Sequence, residues 1–298
     1  MKKARKVRSS SSDRVFYAII VVLLSLVSLC VLYPIIYVVS CSFSTPRSVL
    51  SGEVILFPTE FSLAGYQGVF KYKNVWIGFR NSLFYTVVGT LLNVIATIMT
   101  AYPLSRADLP GRSVVTKVFS FTMIFGGGMI PGYLLLKNLH MLNTVWSQFI
   151  PGLIVVYHVI IMRTFFQSSI PGELLEASKI DGCSDINYLT KVVLPLSKSI
   201  IAVITLYRIV GHWNAYFNAF MYLSDRNLYP LQVFLREILI ASQVDADLLT
   251  AGADAPPIGL EHVVKYSLIV VATVPMLVIY PFVQKHFVKG VMVGAIKG

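Results

Sequence analysis

Long apolar stretches alternate with short polar ones along the chain, and the alternation occurs six times. The apolar stretches cover roughly residues 15–39, 79–104, 114–136, 145–166, 197–220 and 263–285. Each is about 20 residues or more, long enough for a helix rising 1.5 Å per residue to cross a hydrocarbon core of about 30 Å. The pattern predicts an all-α membrane protein with six transmembrane helices. The third and fourth stretches are the cleanest, since no acidic residue lies between Asp108 and Glu173. The fifth departs from the rule by carrying Arg208, His212, Asn214 and Asn218. The first, at about 25 residues, is too long for the apolar region of a signal peptide, about 7–15 residues. No small-x-small cleavage site follows it, and Leu29 rather than a small residue precedes Cys30. It is read as a retained first span.

Composition agrees with this pattern. Of 298 residues, 56% are hydrophobic and 13% charged, against about 25% charged in a soluble domain. That excludes a soluble enzyme and a disordered chain alike. The net charge of +11 therefore matters through its placement. Lys2, Lys3, Arg5, Lys6, Arg8 and Arg14 precede the first span, where a single Asp13 opposes them. With six spans both termini share a side. That side, with the segments 105–113 and 167–196, holds about twice the Lys and Arg of the other. The bias predicts cytoplasmic termini and a multi-pass protein of the cytoplasmic membrane. It points to membrane lipid, not nucleic acid, as the partner of the basic residues. The chain divides into a basic tail (1–14), a first span with its outer loop (15–78), a core of five spans (79–285) and a short tail (286–298). Cys30, Cys41 and Cys183 form no metal or disulfide pattern. The five histidines lie in separate segments without ligand spacing, so no metal site is expected.

Between the fourth and fifth spans, residues 169–195 read as two short helices around a glycine. Pro171 suits the first turn of a helix. Glu173 and Glu176 lie near that N-terminus, where the dipole favours them. Gly182 is placed to stop the helix, Asp185 is a candidate N-cap for the next, and Pro195 marks the return to the membrane. An amphipathic interfacial linker would share the helices. It would give no reason for the cluster of glutamate and small residues followed at fixed distance by glycine and Leu-Pro.

That cluster resembles the signature of the permease subunits of ATP-binding-cassette importers: Glu-Ala-Ala, three residues, Gly, nine residues, Ile-x-Leu-Pro. Here it reads Glu176-Ala177-Ser178, Gly182 and Val192-Val193-Leu194-Pro195, with Ser178 and Val192 as conservative departures. The resemblance implies that the loop docks in a cleft of an ATPase subunit and transmits its closure to the membrane helices. Glu173, Glu176, Ala177, Ser178, Asp181, Gly182, Leu194 and Pro195 would be its coupling residues. Ile180-Asp181-Gly182, Leu194-Pro195-Leu196 and Gly211-His212-Trp213-Asn214 are similar to the carbohydrate-uptake branch. The ending from Phe287 to Gly298 resembles the tail of the maltose-type second permease, which reaches between the ATPases; a solvated basic tail is the alternative. The resemblance implies a second permease subunit, two ATPase subunits and an extracytoplasmic sugar-binding protein as partners. ATP and Mg would be bound by the ATPases; this chain has no nucleotide motif and no cofactor of its own is expected.

The fifth span carries the candidate solute path. At about 100° per residue, Arg208, Gly211, His212, Asn214, Ala215, Tyr216, Asn218 and Ala219 fall on one arc of a single helix, and Ile209, Val210, Trp213, Phe217 and Phe220 on the other. Arg208 lies ten residues from Lys198, about 15 Å into the core, with no carboxylate in any span to pair with it. A charge there marks a functional site by default. Arg208, His212, Asn214 and Asn218 are therefore the path candidates, with interhelical hydrogen bonding as the competing role. Gly126-Gly127-Gly128 and Pro151-Gly152 are expected to break helices, for close packing or as hinges. The acidic outer segment 221–262 could receive a binding protein or be a solvated loop. The function expected is ATP-driven import of a carbohydrate by alternating access. A non-sugar solute is the alternative, and an ion-coupled secondary transporter is the rival class. The latter would carry intramembrane carboxylates and repeats, neither of which is visible.

Overall fold

The computed structural model describes residues 11–248 and 260–295. The chain forms two compact units, residues 1–71 with 238–271 and residues 72–237 with 272–298. The basic run before Ser11, residues 249–259 of the acidic segment 221–262 and the last three residues of the C-terminal tail lie outside the described residues.

The first unit contains α1 (Ser11–Ser42), α2 (Pro46–Leu50) and α3 (Ala64–Lys71). None of the most apolar 18-residue window of α1 is buried, as suits a helix offering Val21, Leu23, Leu26 and Leu29 to lipid. Its C-terminal end is held by polar contacts: the Ser42 and Tyr66 hydroxyls are 2.9 Å apart, and Ser267 donates to the Ser42 carbonyl at 3.3 Å. Ser44 and Phe61 form an isolated antiparallel bridge.

The second unit contains α4 (Lys73–Ser105), α5 (Arg112–Ile124), α6 (Met129–Asn138), α7 (Trp146–Phe149) and α8 (Val156–Ser169). There follow α9 (Gly172–Ile180), α10 (Asp185–Tyr188), α11 (Leu194–Leu196), α12 (Lys198–Trp213) and α13 (Phe217–Tyr222). Two further helices, α14 (Leu231–Leu248) and α15 (Leu260–Ala295), contribute to both units.

The central helix α4 is built inside out relative to a soluble helix. Its buried positions include Gly78, Asn81, Ser82, Tyr85, Thr86, Gly89, Thr90, Asn93 and Thr97, spaced three and four apart, while Leu83, Val87, Leu91, Ile95 and Met99 are exposed. Lipid is as apolar as leucine, so packing in a bilayer is driven by small and hydrogen-bonding residues instead. This polar stripe faces α8 and α12. Towards the C-terminal end of α4 the core becomes apolar, with Ala101, Tyr102 and Leu104 against Val159, Met162, Phe166, Ile200 and Ile204.

Among the described residues, three helical segments are long and apolar enough to cross a membrane by themselves: Ser12–Ser42, Lys73–Ser105 and His262–Pro281. Two bent pairs qualify together, α5 with α6 at 114° and Asp185–Leu196 with α12 at 82°. Several of the expected spans are therefore not straight helices. The third breaks at Phe125–Gly128, where Gly128 has φ +85°. A Cβ built on Gly126 or Gly127 would meet nothing within 4 Å, so close packing inside this chain does not call for glycine at either position. The stretch 145–166 is divided between α7 and α8 at Pro151-Gly152. The stretch 197–220 ends its first helix at Trp213 and restarts at Phe217, so the single arc expected there does not run through it.

Candidate coupling hairpin and intramembrane polar cluster

The segment 169–195 folds as two short helices around Gly182. Pro171 is the N-cap of α9 with extended backbone (ψ 139°), one position earlier than expected; its missing N–H falls where no intrahelical bond is made. The end of α9 is closed by Gly182 N–H to the Lys179 carbonyl at 3.1 Å and Cys183 N–H to the Ser178 carbonyl at 2.9 Å. This pair of bonds is a Schellman motif, which needs a left-handed residue between the helix and the next turn. Gly182, at φ +71°, supplies it. The N-cap of α10 is Ser184, which accepts from Asn187 N–H, and not Asp185. The shorter serine side chain turns back onto the backbone, while Asp185 is drawn to Arg106. Beyond α10 the chain widens into a π-turn over Leu189–Val193. Pro195 cannot donate and would crowd the carbonyl four residues before it, and the wider turn relieves both.

One face of the hairpin is anchored. Arg106 donates to Asp185 at 2.6 Å and to Asp108 at 2.8 and 2.6 Å, and Lys179 reaches Asp108 at 3.1 Å. Leu175 and Tyr188 pack on the apolar cluster of α4 and α8. Hydrogen bonds from Arg106 and then Lys179 hold the Asp108 carboxyl well below the usual carboxylate range, and the Asp108 bonds raise the Arg106 guanidinium. The other face is bare. Glu173, Glu176, Ala177, Asp181 and Gly182 are exposed, and Ile180 and Ile186 are 87% and 75% exposed. Two isoleucines this open beside acidic side chains leave this face unpacked among the described residues.

The second constellation lies between α4, the α7–α8 break and α12. Asn93, only 1% exposed, donates its amide nitrogen to the carbonyls of Leu153 at 2.8 Å and Gly152 at 3.3 Å. Those bonds fix the amide so that its oxygen faces α12. There it accepts from Arg208 Nε at 2.7 Å, from Arg208 Nη2, and from His212 Nε2 at 2.6 Å. An amide oxygen can only accept, so His212 carries its hydrogen on Nε2. Arg208 Nη2 also donates to the Gly152 carbonyl at 3.2 Å. Among the described residues no carboxylate pairs with Arg208. A pocket of about 240 Å³ opens beside it, lined among others by Tyr85, Gln148, Gly152, Arg208, His212 and Asn218.

Residues 4–293 match the family described as binding-protein-dependent transport system inner membrane component. The chain belongs to that family. This permease is 42% identical over 287 residues, 96% of its length and 99% of the relative's, to the polygalacturonan/rhamnogalacturonan transport system permease protein YtcP of Bacillus subtilis (strain 168). It is 37% identical over all 298 residues to Protein LplC of the same organism, with both chains fully covered. A solved bacterial ABC transporter involved in the import of the acidic polysaccharide alginate contains a chain of the same fold. The two superpose with a TM-score of 0.85 and 35% identity, over 95% of this permease and all of that chain.

Among the residues singled out in the sequence, Arg208, His212 and Asn218 meet at one pocket of the permease. Asn214 instead caps the end of α12 and is not part of the pocket lining. Sequence reading missed Asn93, which holds the cluster together, and Arg106 and Asp108, which brace the hairpin. A signal for Asn93 existed: Thr86, Thr90, Asn93 and Thr97 recur at helical spacing on one face of an otherwise apolar segment. For Arg106 and Asp108 there was none beyond their place at a span's end, because their partners in the hairpin lie more than 70 residues away.

Proposed function

We propose that this permease forms, with a second permease subunit and two ATPase subunits, the membrane channel of an importer for oligosaccharides delivered by an extracytoplasmic binding protein. The relatives named for polygalacturonan and alginate support a carbohydrate as the solute. In this reading the broken stretches count as spans. The chain then crosses the cytoplasmic membrane six times with both termini and the hairpin inside, a reading that the distribution of Lys and Arg supports.

The observation that carries the mechanism is the exposed face of the hairpin. Glu173, Glu176, Ala177, Ser178, Asp181 and Gly182 enter a cleft on the ATPase, with Ile180 and Ile186 as apolar anchors. ATP and Mg stay on that partner. Closure of the two ATPases moves α9 and α10, and the Arg106–Asp108–Lys179–Asp185 network carries the displacement to the end of α4. The π-turn passes it through Leu194 and Pro195 into α12. Because α12 bears Arg208 and His212, the movement reaches the pocket, which is part of the solute path. Asn218 lines it from α13, and Asn214 helps end α12 where the path bends.

Purification of the tagged permease from its own membranes tests this reading. Two ATPase subunits and a second permease should accompany it, and the loaded binding protein should stimulate ATP hydrolysis in proteoliposomes. Purification without any ATPase, or hydrolysis indifferent to the binding protein, would overturn it.

A further inference from the structure

The pocket beside Arg208 holds a cation without a counter-ion, in a segment that crosses the bilayer. A guanidinium there is costly, and the cost falls only if hydrogen bonds or an anion satisfy it. Asn93 and the Gly152 carbonyl meet Nε and Nη2, but both are neutral. Nη1 makes no hydrogen bond among the described residues, and Arg208 lines the open pocket. The anchoring bonds hold the planar fork in one orientation, so it is organised before any ligand arrives. For an uncharged solute that arrangement is a liability. A hydroxyl accepts a hydrogen bond from the exposed edge of the fork but leaves its charge uncompensated, whereas a carboxylate pairs with it ion to ion and neutralises the site.

We infer that this pocket reads a carboxylate on the passing sugar, so that the permease selects uronate-containing oligosaccharides over neutral ones at Arg208. The inference rests on the proposed import function and narrows its substrate class. At about 240 Å³ the pocket is smaller than the roughly 300–1,000 Å³ of a site that encloses a whole ligand. It therefore takes one ring at a time from an extended chain. The Gln148 and Asn218 amides supply neutral partners for ring hydroxyls. Asn93 is a positioning residue: it orients Arg208 and His212 without reaching the sugar.

The test uses the complete importer in lipid nanodiscs and two probes, trigalacturonate and the same trimer with its carboxylates reduced to alcohols. Equilibrium binding is measured without the binding protein, so that its own selectivity does not enter; proteoliposome uptake is measured with it. The wild type should bind the acidic trimer the more tightly. Arg208→Gln should weaken binding of the acidic trimer at least tenfold and leave the reduced trimer within twofold. Arg208→Lys, which keeps the charge but loses the fork, should fall between. Equal losses for both trimers in both variants, or no loss for either, would overturn the inference. An Arg208→Gln complex that does not assemble leaves Arg208→Lys to decide, by whether its loss is confined to the acidic trimer. Failure of the import reading looks different: the wild type would then take up neither trimer.

Discussion

Replacing Gly182 separates two reasons for a glycine in the hairpin. If the position is glycine because an ATPase surface comes close, tolerance should follow size, and alanine should be accepted before asparagine. If it is glycine because the backbone is left-handed, the order reverses. The permease supplies the numbers for the second case. Gly182 has φ +71°, and a Cβ built there would meet nothing within 4 Å, so within this chain the penalty is conformational alone. An L-residue in that region costs about 1–2 kcal/mol, while asparagine visits it with little strain. A cost of that size lowers the population of the closed Schellman turn about 5–30-fold relative to its alternatives. Gly182→Ala and Gly182→Val should therefore reduce binding-protein-stimulated ATP hydrolysis severalfold in the assembled importer, valine more than alanine. Gly182→Asn should retain most of it. Basal hydrolysis, which does not need the hairpin's shape, should change little. An asparagine variant worse than alanine would refute the conformational account and make close approach of the ATPase the reason for glycine at 182.

Three further outcomes follow from the packing of the second unit. A Cβ at Gly89 would lie 2.6–2.7 Å from ring atoms of His212, so Gly89→Ala should displace that ring from Asn93 and cost about 1–3 kcal/mol, read as a lower unfolding temperature of the complex; unchanged stability would show that the ring simply yields. Asn93→Leu removes the acceptor of Arg208 and His212 and the donor to Gly152 and Leu153, each orphaned group costing about 1–3 kcal/mol, and should sharply reduce the yield of folded permease; normal yield would mean water replaces the amide. Asp108 is held below the usual carboxylate range by Arg106 and Lys179, and Arg106 is raised. The carboxylate's contribution is therefore complete above its unfolded pKa near 4 and lost only as pH falls through its lower folded value. The arginine's contribution is lost only at extreme alkaline pH. Protease protection of residues 172–188 should accordingly be flat from about pH 5 to 9, and a slope between pH 6 and 8 would refute this assignment.

The hairpin was legible in the sequence because its determinants are local. Proline, a short polar cap and glycine act within a few residues of themselves, so their spacing carries the turn. The cap of α10 was misplaced by one residue because Asp185 answers to Arg106, a distant partner that local rules cannot see. Hydropathy likewise found the apolar segments but drew them as continuous helices, since apolarity measures the solvent a segment prefers and not its φ and ψ. The arc drawn through residues 197–220 failed for that reason, and Asn214 with it. The stripe on α4 was visible as polar residues three and four apart, yet nothing in it distinguished Asn93 from its neighbours until α12 and the α7–α8 break were brought against it.

The break between α7 and α8 is what makes the half-buried arginine of α12 possible. In a continuous helix every interior carbonyl accepts the amide four residues on, and in lipid none is spare. Between α7 and α8 the chain is not helical, and the Gly152 and Leu153 carbonyls are turned to Asn93 and Arg208 instead. Gly152 reaches this geometry at φ +76°. Asn93 is thereby fixed with its oxygen towards Arg208, and its nitrogen satisfies the exposed backbone. Each irregularity answers another: the broken helix needs donors, the half-buried cation needs acceptors, and a single asparagine between them supplies one to each. The exposed edge of Arg208 is what these bonds do not reach, and it is the part left to a ligand.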